Sequence, residues 1–480
     1  MKKVFQKAGV IGAGVMGVNL AALLVNCGID TCLLDLVPPA SDENRDIADS
    51  AYRNSVVTRG LERAKKLNPP PFLKPEYAEN VRVGNIEDDI ALLSDADIVV
   101  EAVTEDIAVK RGVYKRIEGV LKPGAIVTSN TSGIPASRLC EGFSPLFRKH
   151  FSVTHFFNPP RLMKLVEIIP GPETLPEVTG MLAEFCEGRL GKSVVFAGDT
   201  HNFTANRIAM FTTLNNVRVM LELGLSFEAI DELTGTVIGF AKSATLRTTD
   251  IVGVDTLIHA AENVFDNLPL DERRDLFAVP DLIRRMVDKR LLGDKTGSGF
   301  YKKVIHDDGT RQILVLDTEN MTYRAMMPVR FDSLTASKRF PDISSRIMTL
   351  YYASDTAGIF TFRTRSDEFI YAANRIPEIA GDIITIDNAL KWGFNREMGP
   401  FEMWDAVGPE RSAALMEAHG YKIPLWVKRM LEKGVKTFYT ADNGKRYHYD
   451  PATGDYREDA KKRLTCDRRN GVIKLIEKLL

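Results

Sequence analysis

The chain has 480 residues, 44% hydrophobic and 26% charged. That composition excludes a disordered or fibrous protein and, at a typical ~100–200 residues per domain, points to about three folding units. With 63 Lys and Arg against 64 Asp and Glu the net charge is -1, so no global basic field exists to hold nucleic acid or an anionic membrane. Cys27, Cys32, Cys140, Cys186 and Cys466 are scattered without C-x-x-C spacing, and no apolar run approaches ~20 residues. These features point to a reducing, cytoplasmic setting with no structural zinc and no membrane span.

In chain order, residues 8 to 35 read as strand, glycine turn, helix and strand: Ala8 to Ile11, Gly12-Ala13-Gly14-Val15-Met16-Gly17, an apolar helix to about Asn26, then Thr31 to Leu34. A polar stretch from Asp42 to Lys66 predicts a long helix or helix pair leaving the sheet, ended by Pro69-Pro70-Pro71. Further β-rich runs at Ile98–Val100, 125–127, 152–154 and 193–195 alternate with helical segments and predict a doubly wound parallel sheet over residues 1–198. A helical domain is expected over 199–303 and a connector with a hairpin over 304–345. A second helical domain over 346–436 and a linker-like tail over 437–480 complete the division.

The second helical domain reads as a repeat of the first. Ala205-Asn206-Arg207-Ile208 recurs as Ala373-Asn374-Arg375-Ile376, Ile230-Asp231 as Ile386-Asp387, and Asp250 to Gly253 as Asp405 to Gly408.

Glycines 12, 14 and 17 follow a strand and open a helix, the context in which they allow a tight turn, approach of a pyrophosphate and close helix packing. Asp35 closes the next strand, where a carboxylate accepts hydrogen bonds from a ribose and repels a 2′-phosphate, so NAD is expected over NADP. This is a Rossmann dinucleotide-binding pattern. If 153–157 and 165–169 pair about a turn near Arg161, His155 faces Glu167 and forms a His–carboxylate dyad suited to deprotonating a hydroxyl. The alternative is a core histidine bonded to backbone with Glu167 in solvent. Asn130-Thr131-Ser132 follows a parallel strand and is either a ligand loop or a plain turn; Asn206-Arg207 is equally a helix start. Glu101, Glu105 and Lys110 equally suit the solvated start of a helix. The seven histidines show no metal-binding spacing.

Taken in order, these motifs resemble the 3-hydroxyacyl-CoA dehydrogenase family: Gly12-x-Gly14-x-Met16-Gly17, Glu101 to Glu105 with Lys110, Asn130-Thr-Ser132, His155 to Pro159, Glu167, Asn206-Arg207 and Lys295 to Tyr301. The resemblance spans about residues 5 to 303, and the repeat resembles the second helical domain of fused β-oxidation enzymes. It implies His155 as general base, Glu167 as its orienting partner, and Ser132 and Asn206 as substrate contacts. Gly12, Gly14, Met16, Gly17, Asp35, Glu105, Lys110, Ser132, Asn158 and Lys295 would hold NAD.

The activity so implied is oxidation of an (S)-3-hydroxyacyl-CoA to the 3-oxoacyl-CoA in fatty-acid β-oxidation. It brings with it an acyl-CoA substrate, a homodimer, and an enoyl-CoA hydratase domain or subunit as partner. The rival expectations are an NAD-dependent dehydrogenase of a non-CoA hydroxy acid and an idle NAD-binding scaffold for a hydratase. Two departures from the family pattern fall near the acyl site: His201-Asn202-Phe203 replaces Pro-Gly-Phe, and Ala244 to Thr248 stands where the second repeat has Met398-Gly399-Pro400-Phe401.

Overall fold

The computed structural model describes residues 5–39 and 49–459. Cys466, with the rest of the linker-like tail from residue 460 on, and residues 42–48 of the Asp42–Lys66 stretch lie outside the described residues. By contacts the chain divides into two compact units, one running to Phe203 and the other beginning at Thr204. The division falls after Phe203 rather than residue 198 because Phe203 is fully buried in a core of the first unit.

Eight strands build the first unit: β1 (Lys7–Ile11), β2 (Asp30–Asp35), β3 (Val81–Asn85), β4 (Ile98–Glu101), β5 (Ile126–Ser129), β6 (Phe151–Phe156), β7 (Leu165–Pro170) and β8 (Ser193–Phe196). Their order is β3-β2-β1-β4-β5-β6-β7-β8. The sheet is mixed rather than wholly parallel, since β7 runs antiparallel to β6. Short apolar strands buried on both faces explain the near-continuous hydrophobic runs. Val10, Leu33, Val100 and Ile126 point into one core with the helix α1 (Val15–Asn26), while their neighbours Ile11, Leu34, Val99 and Val127 point into the other. Because β1 lies between β2 and β4, the strand order reverses there, and open α/β sheets bind ligands at the carboxyl ends beside such a point.

The helix Ser55–Lys65 does not leave the sheet. It buries Val57, Gly60, Leu61 and Ala64, and a Cβ on Gly60 would come within 2.4 Å of the Ala13 carbonyl oxygen. Its glycine lets the helix lie directly on the turn after β1.

Helices dominate the second unit, with two three-stranded antiparallel sheets, Tyr301–Ile305 with Arg311–Leu316 and Tyr323–Ala325, and Tyr439–Asp442 with Lys445–Asp450 and Asp455–Glu458. The aspartate landmarks of the repeat coincide in structure. Asp231 accepts the Leu246 and Arg247 amides and the Tyr301 hydroxyl, and Asp387 likewise accepts Phe401, Glu402 and Tyr439. Asp250 takes the amides of Phe300 and Tyr301, as Asp405 takes those of Phe438 and Tyr439.

The Ala-Asn-Arg-Ile match is a correction: its first copy opens the helix Ala205–Leu223, whereas its second copy ends the helix Thr356–Asn374. The two long helices are the repeated elements, and the tetrapeptide is out of register between them.

Candidate active site

β1 runs into Gly12, whose φ of 105° and whose Cβ position, 2.6 Å from the Ala102 carbonyl oxygen, both exclude a side chain. At Gly17 a Cβ would lie 1.7 Å from the Gly12 carbonyl oxygen, so α1 starts in contact with the strand end. Gly14 has nothing within 4 Å of its Cβ position, and Val15 beside it is 63% exposed. The turn is therefore closed on the protein side and open on the other, as a helix N-terminus receiving a pyrophosphate requires. Met16 is half-buried against the core, which leaves its backbone as the part a ligand can meet.

Asp35 ends β2 with one carboxylate oxygen on the Ala13 amide at 2.6 Å and the other on the Leu36 amide at 2.6 Å. The carboxylate is thereby anchored to the glycine turn. An open cradle with an adjoining acidic group fits a dinucleotide.

Glu101 and Lys110 are not the solvated start of a helix. Both are buried, and Lys110 Nζ lies 2.8 Å from Glu101 Oε1. The other Glu101 oxygen accepts the Tyr114 hydroxyl at 2.6 Å and the Ser129 hydroxyl at 2.7 Å, and the Val103 amide donates to Oε1. Burial, reinforced by Glu101, pushes the Tyr114 phenol well above its ordinary range, so it stays a donor. Lys110 also reaches Glu105 Oε2 at 3.2 Å. Glu105 Oε1 accepts from Thr131 Oγ1 at 2.6 Å and from the Ser132 amide at 2.8 Å. A buried cation thus holds a half-exposed carboxylate that shapes the 131–133 loop, and Ser132 is left exposed at its tip.

β6 and β7 pair with His155 opposite Glu167, and His155 Nδ1 lies 2.7 Å from Glu167 Oε2. His155 is 3% exposed and Glu167 fully buried, with the Phe157 and Phe203 rings against the imidazole. The Phe156 amide donates to Asn130 Oδ1 at 2.9 Å, tying the end of β6 to the loop after β5. Asn158 follows on the exposed side. Asn202, which stands where the family pattern has glycine, adopts φ 61°, a left-handed conformation that asparagine tolerates.

The first unit therefore gathers the glycine turn with Asp35, the Glu105–Lys110–Ser132 group, and the His155–Glu167 pair. Asn206 and Lys295 belong to the second unit. Asn206 opens the helix Ala205–Leu223 half-exposed, and the next residue, Arg207, is buried with its Nε on the Tyr371 hydroxyl at 2.6 Å. Lys295 Nζ pairs with the Asp255 carboxylate.

Tyr114, Ser129 and Gly60 enter the site's support without having been singled out in sequence, and Glu101 was named there without a role. The available signals were Lys110 and Tyr114 on one helix face and an isolated glycine in a helical segment. Among the described residues no group of three or more His, Cys, Asp or Glu is placed to hold a metal, and no helix is long and apolar enough to cross a membrane.

Residues 7–200 match the family model of the 3-hydroxyacyl-CoA dehydrogenase NAD binding domain, and residues 203–303 that of its C-terminal domain. A probable 3-hydroxyacyl-CoA dehydrogenase of Bacillus subtilis is 41% identical over 471 residues, covering 97% of this chain and 59% of its own length. Another, from Deinococcus radiodurans, is 43% identical over 298 residues, 62% of this chain and 83% of its own. A putative fatty acid oxidation complex trifunctional enzyme of Rickettsia felis is 30% identical over 84% of this chain and 53% of its own length. The chain thus spans little more than half the length of the Bacillus and Rickettsia relatives.

The crystal structure of 3-hydroxybutyryl-CoA dehydrogenase from Escherichia coli shares the fold, with TM-score 0.64 and 21% identity over 90% of this chain and 100% of that one. The chain belongs to the 3-hydroxyacyl-CoA dehydrogenase family, and its N-terminal unit is that family's NAD-binding domain.

Proposed function

We propose that the protein oxidises an (S)-3-hydroxyacyl-CoA to the 3-oxoacyl-CoA in fatty-acid β-oxidation, with the His155–Glu167 pair as its base. The observation that carries this reading is the buried 2.7 Å contact between His155 Nδ1 and Glu167, set in the same unit as the open glycine turn. A carboxylate on Nδ1 holds the imidazole in the tautomer whose Nε2 is free to take a proton, and it stabilises the imidazolium that results. His155 then removes the substrate's hydroxyl proton.

NAD, when bound, accepts the hydride from C3. Glycines 12, 14 and 17 with the Met16 backbone receive its pyrophosphate, and Asp35 its adenosine ribose. Glu105, Lys110, Ser132, Asn158 and Lys295 complete its contacts, Lys110 acting through Glu105. Ser132 and Asn206 also contact the substrate's reacting oxygen or thioester region and orient it. Conserving the charge balance, one proton moves to His155 and two electrons leave with the hydride.

The relatives named as fatty acid oxidation enzymes support an enoyl-CoA hydratase domain or subunit as partner. A cytoplasmic homodimer completes the proposal. Its test is NADH oxidation with acetoacetyl-CoA and, separately, with free acetoacetate. Saturable turnover confined to the thioester is expected; equal turnover of the free acid would move the substrate class away from CoA esters, and NADH binding without turnover of either would leave a scaffold.

A further inference from the structure

At the opposite end of α1 from the glycine turn, a cavity of about 250 Å³ opens between the helix C-terminus, Leu73, the loop joining β6 to β7 and the residues leading into β8. A helix of this length separates its two ends by roughly 18 Å, so the cavity is distinct from the dinucleotide cradle. Leu23, Leu73 and Leu190 are among its apolar lining residues, and Arg161, Lys164 and Lys192 are its cationic ones. Among the described residues no Asp or Glu lines it.

The three cations are not equivalent. Lys192 is 5% exposed, and its Nζ donates to the Pro160 carbonyl and, at 2.9 Å, to the Met163 carbonyl. It is used up in holding the loop. Arg161 Nε is sealed from solvent and has no hydrogen-bond partner. Among the described residues no carboxylate pairs with Arg161 or Lys164. Arg161 as a whole is half-buried and Lys164 is exposed, so it is the Nε alone that lacks both water and an acceptor, and a buried N–H left so is costly. Burial, with Arg161 acting in the same direction, pushes the Lys192 ammonium down to about 8. Arg161 and Lys164 therefore line the cavity with no carboxylate partner among the described residues.

We propose that this cavity binds an amphipathic monocarboxylate, its carboxylate on Arg161 and Lys164 and its apolar body against Leu23, Leu73 and Leu190. A planar guanidinium matches a carboxylate with two parallel hydrogen bonds, and the three leucines offer hydrocarbon to the rest of the ligand. A phosphate dianion suits the place less well, because one arginine with one lysine leaves most of its oxygens unmet. The site stands apart from the proposed dehydrogenase chemistry and from the residues assigned to it.

The test is calorimetric titration of the full chain with octanoate, with octanol and inorganic phosphate as companion probes, repeated in the presence of acetoacetyl-CoA. Saturable one-to-one binding of octanoate, undiminished by acetoacetyl-CoA, is expected, with octanol about tenfold or more weaker. Arg161→Met should weaken octanoate binding by about tenfold or more while leaving NADH affinity unchanged. Leu73→Trp, which fills the cavity from its apolar side, should abolish binding and carries the same test should the arginine variant not fold. Absence of saturable binding, wild-type affinity in both variants, phosphate binding as tightly as octanoate, or competition by acetoacetyl-CoA would each overturn the proposal.

Discussion

Glu167 Oε2 lies 2.7 Å from His155 Nδ1. Glu167→Gln keeps the shape and removes the charge that stabilises an imidazolium, so kcat should fall by roughly 10²–10⁴-fold while the NADH dissociation constant stays put. A kcat near the wild-type value would contradict the role. For Asp35, whose carboxylate is stapled to the Ala13 amide, Asp35→Asn should lower the preference for NAD over NADP in kcat/KM; an unchanged ratio counts against it. The facing of His155 and Glu167 was legible in the sequence because two strands folded about one turn pair residues equidistant from it. Burial of Glu101 and Lys110 was not, because the Tyr114 and Ser129 hydroxyls that bond Glu101 come from a later helix and a later strand, and nearby Thr104 and Asp106 give the local stretch the look of a solvated helix start.

Elements carry the next set of consequences. The contact of α1 with the end of β1 rests on Gly17, where a Cβ would overlap the Gly12 carbonyl oxygen. Gly17→Ala should cost about 1–3 kcal/mol of stability by overpacking and weaken NADH binding, read by thermal melting and fluorescence titration. Wild-type melting with wild-type NADH affinity would show the turn to be more tolerant than its geometry implies. The alternation of strands and helices was readable from apolar runs, but the return of the Ser55–Lys65 helix onto the glycine turn was hidden, since a charged amphipathic segment does not say which surface its apolar stripe meets. The Ala-Asn-Arg-Ile match misled for a related reason: a four-residue identity carries no phase, whereas Asp231, Asp250, Asp387 and Asp405 recur because each must accept two backbone amides at a fixed place in the fold.

Asp405 gives that motif a pH signature. Burial raises its carboxyl to about 7, above the unfolded value, so the native state binds the proton more readily than the unfolded state does. The stability this contributes is fully present at low pH and is lost as pH rises through about 7. Wild-type melting temperature should therefore fall more between pH 6 and pH 8 than that of Asp405→Asn, which in turn should be about 1–3 kcal/mol less stable at pH 6 because one amide loses its acceptor. Parallel pH profiles for the two proteins would contradict the assignment.

At the scale of the whole molecule, the second unit is held together by polar contacts between its two long helices. Thr212 donates to Glu368 at 2.9 Å, Arg365 to Asn216 at 3.0 Å, and Phe211 stacks on Tyr371 with ring centroids 3.8 Å apart. A fragment ending at residue 303 would strip Arg207, Thr212 and Asn216 of these partners and leave Phe211 bare. It should self-associate or aggregate, and light scattering that finds a folded monomer would contradict this. Two compact units, rather than one for each segment of the sequence division, follow from the same contacts, which join the sequence repeats into one body.

Base catalysis by His155 is tested by the steady-state rate of NADH oxidation with acetoacetyl-CoA, measured for the wild-type protein and for His155→Gln at matched NADH saturation. Robust wild-type turnover and a loss of roughly 10²–10⁴-fold in the variant, with NADH binding intact, are expected. Turnover undiminished by His155→Gln would contradict that role and would make the buried imidazole a structural group.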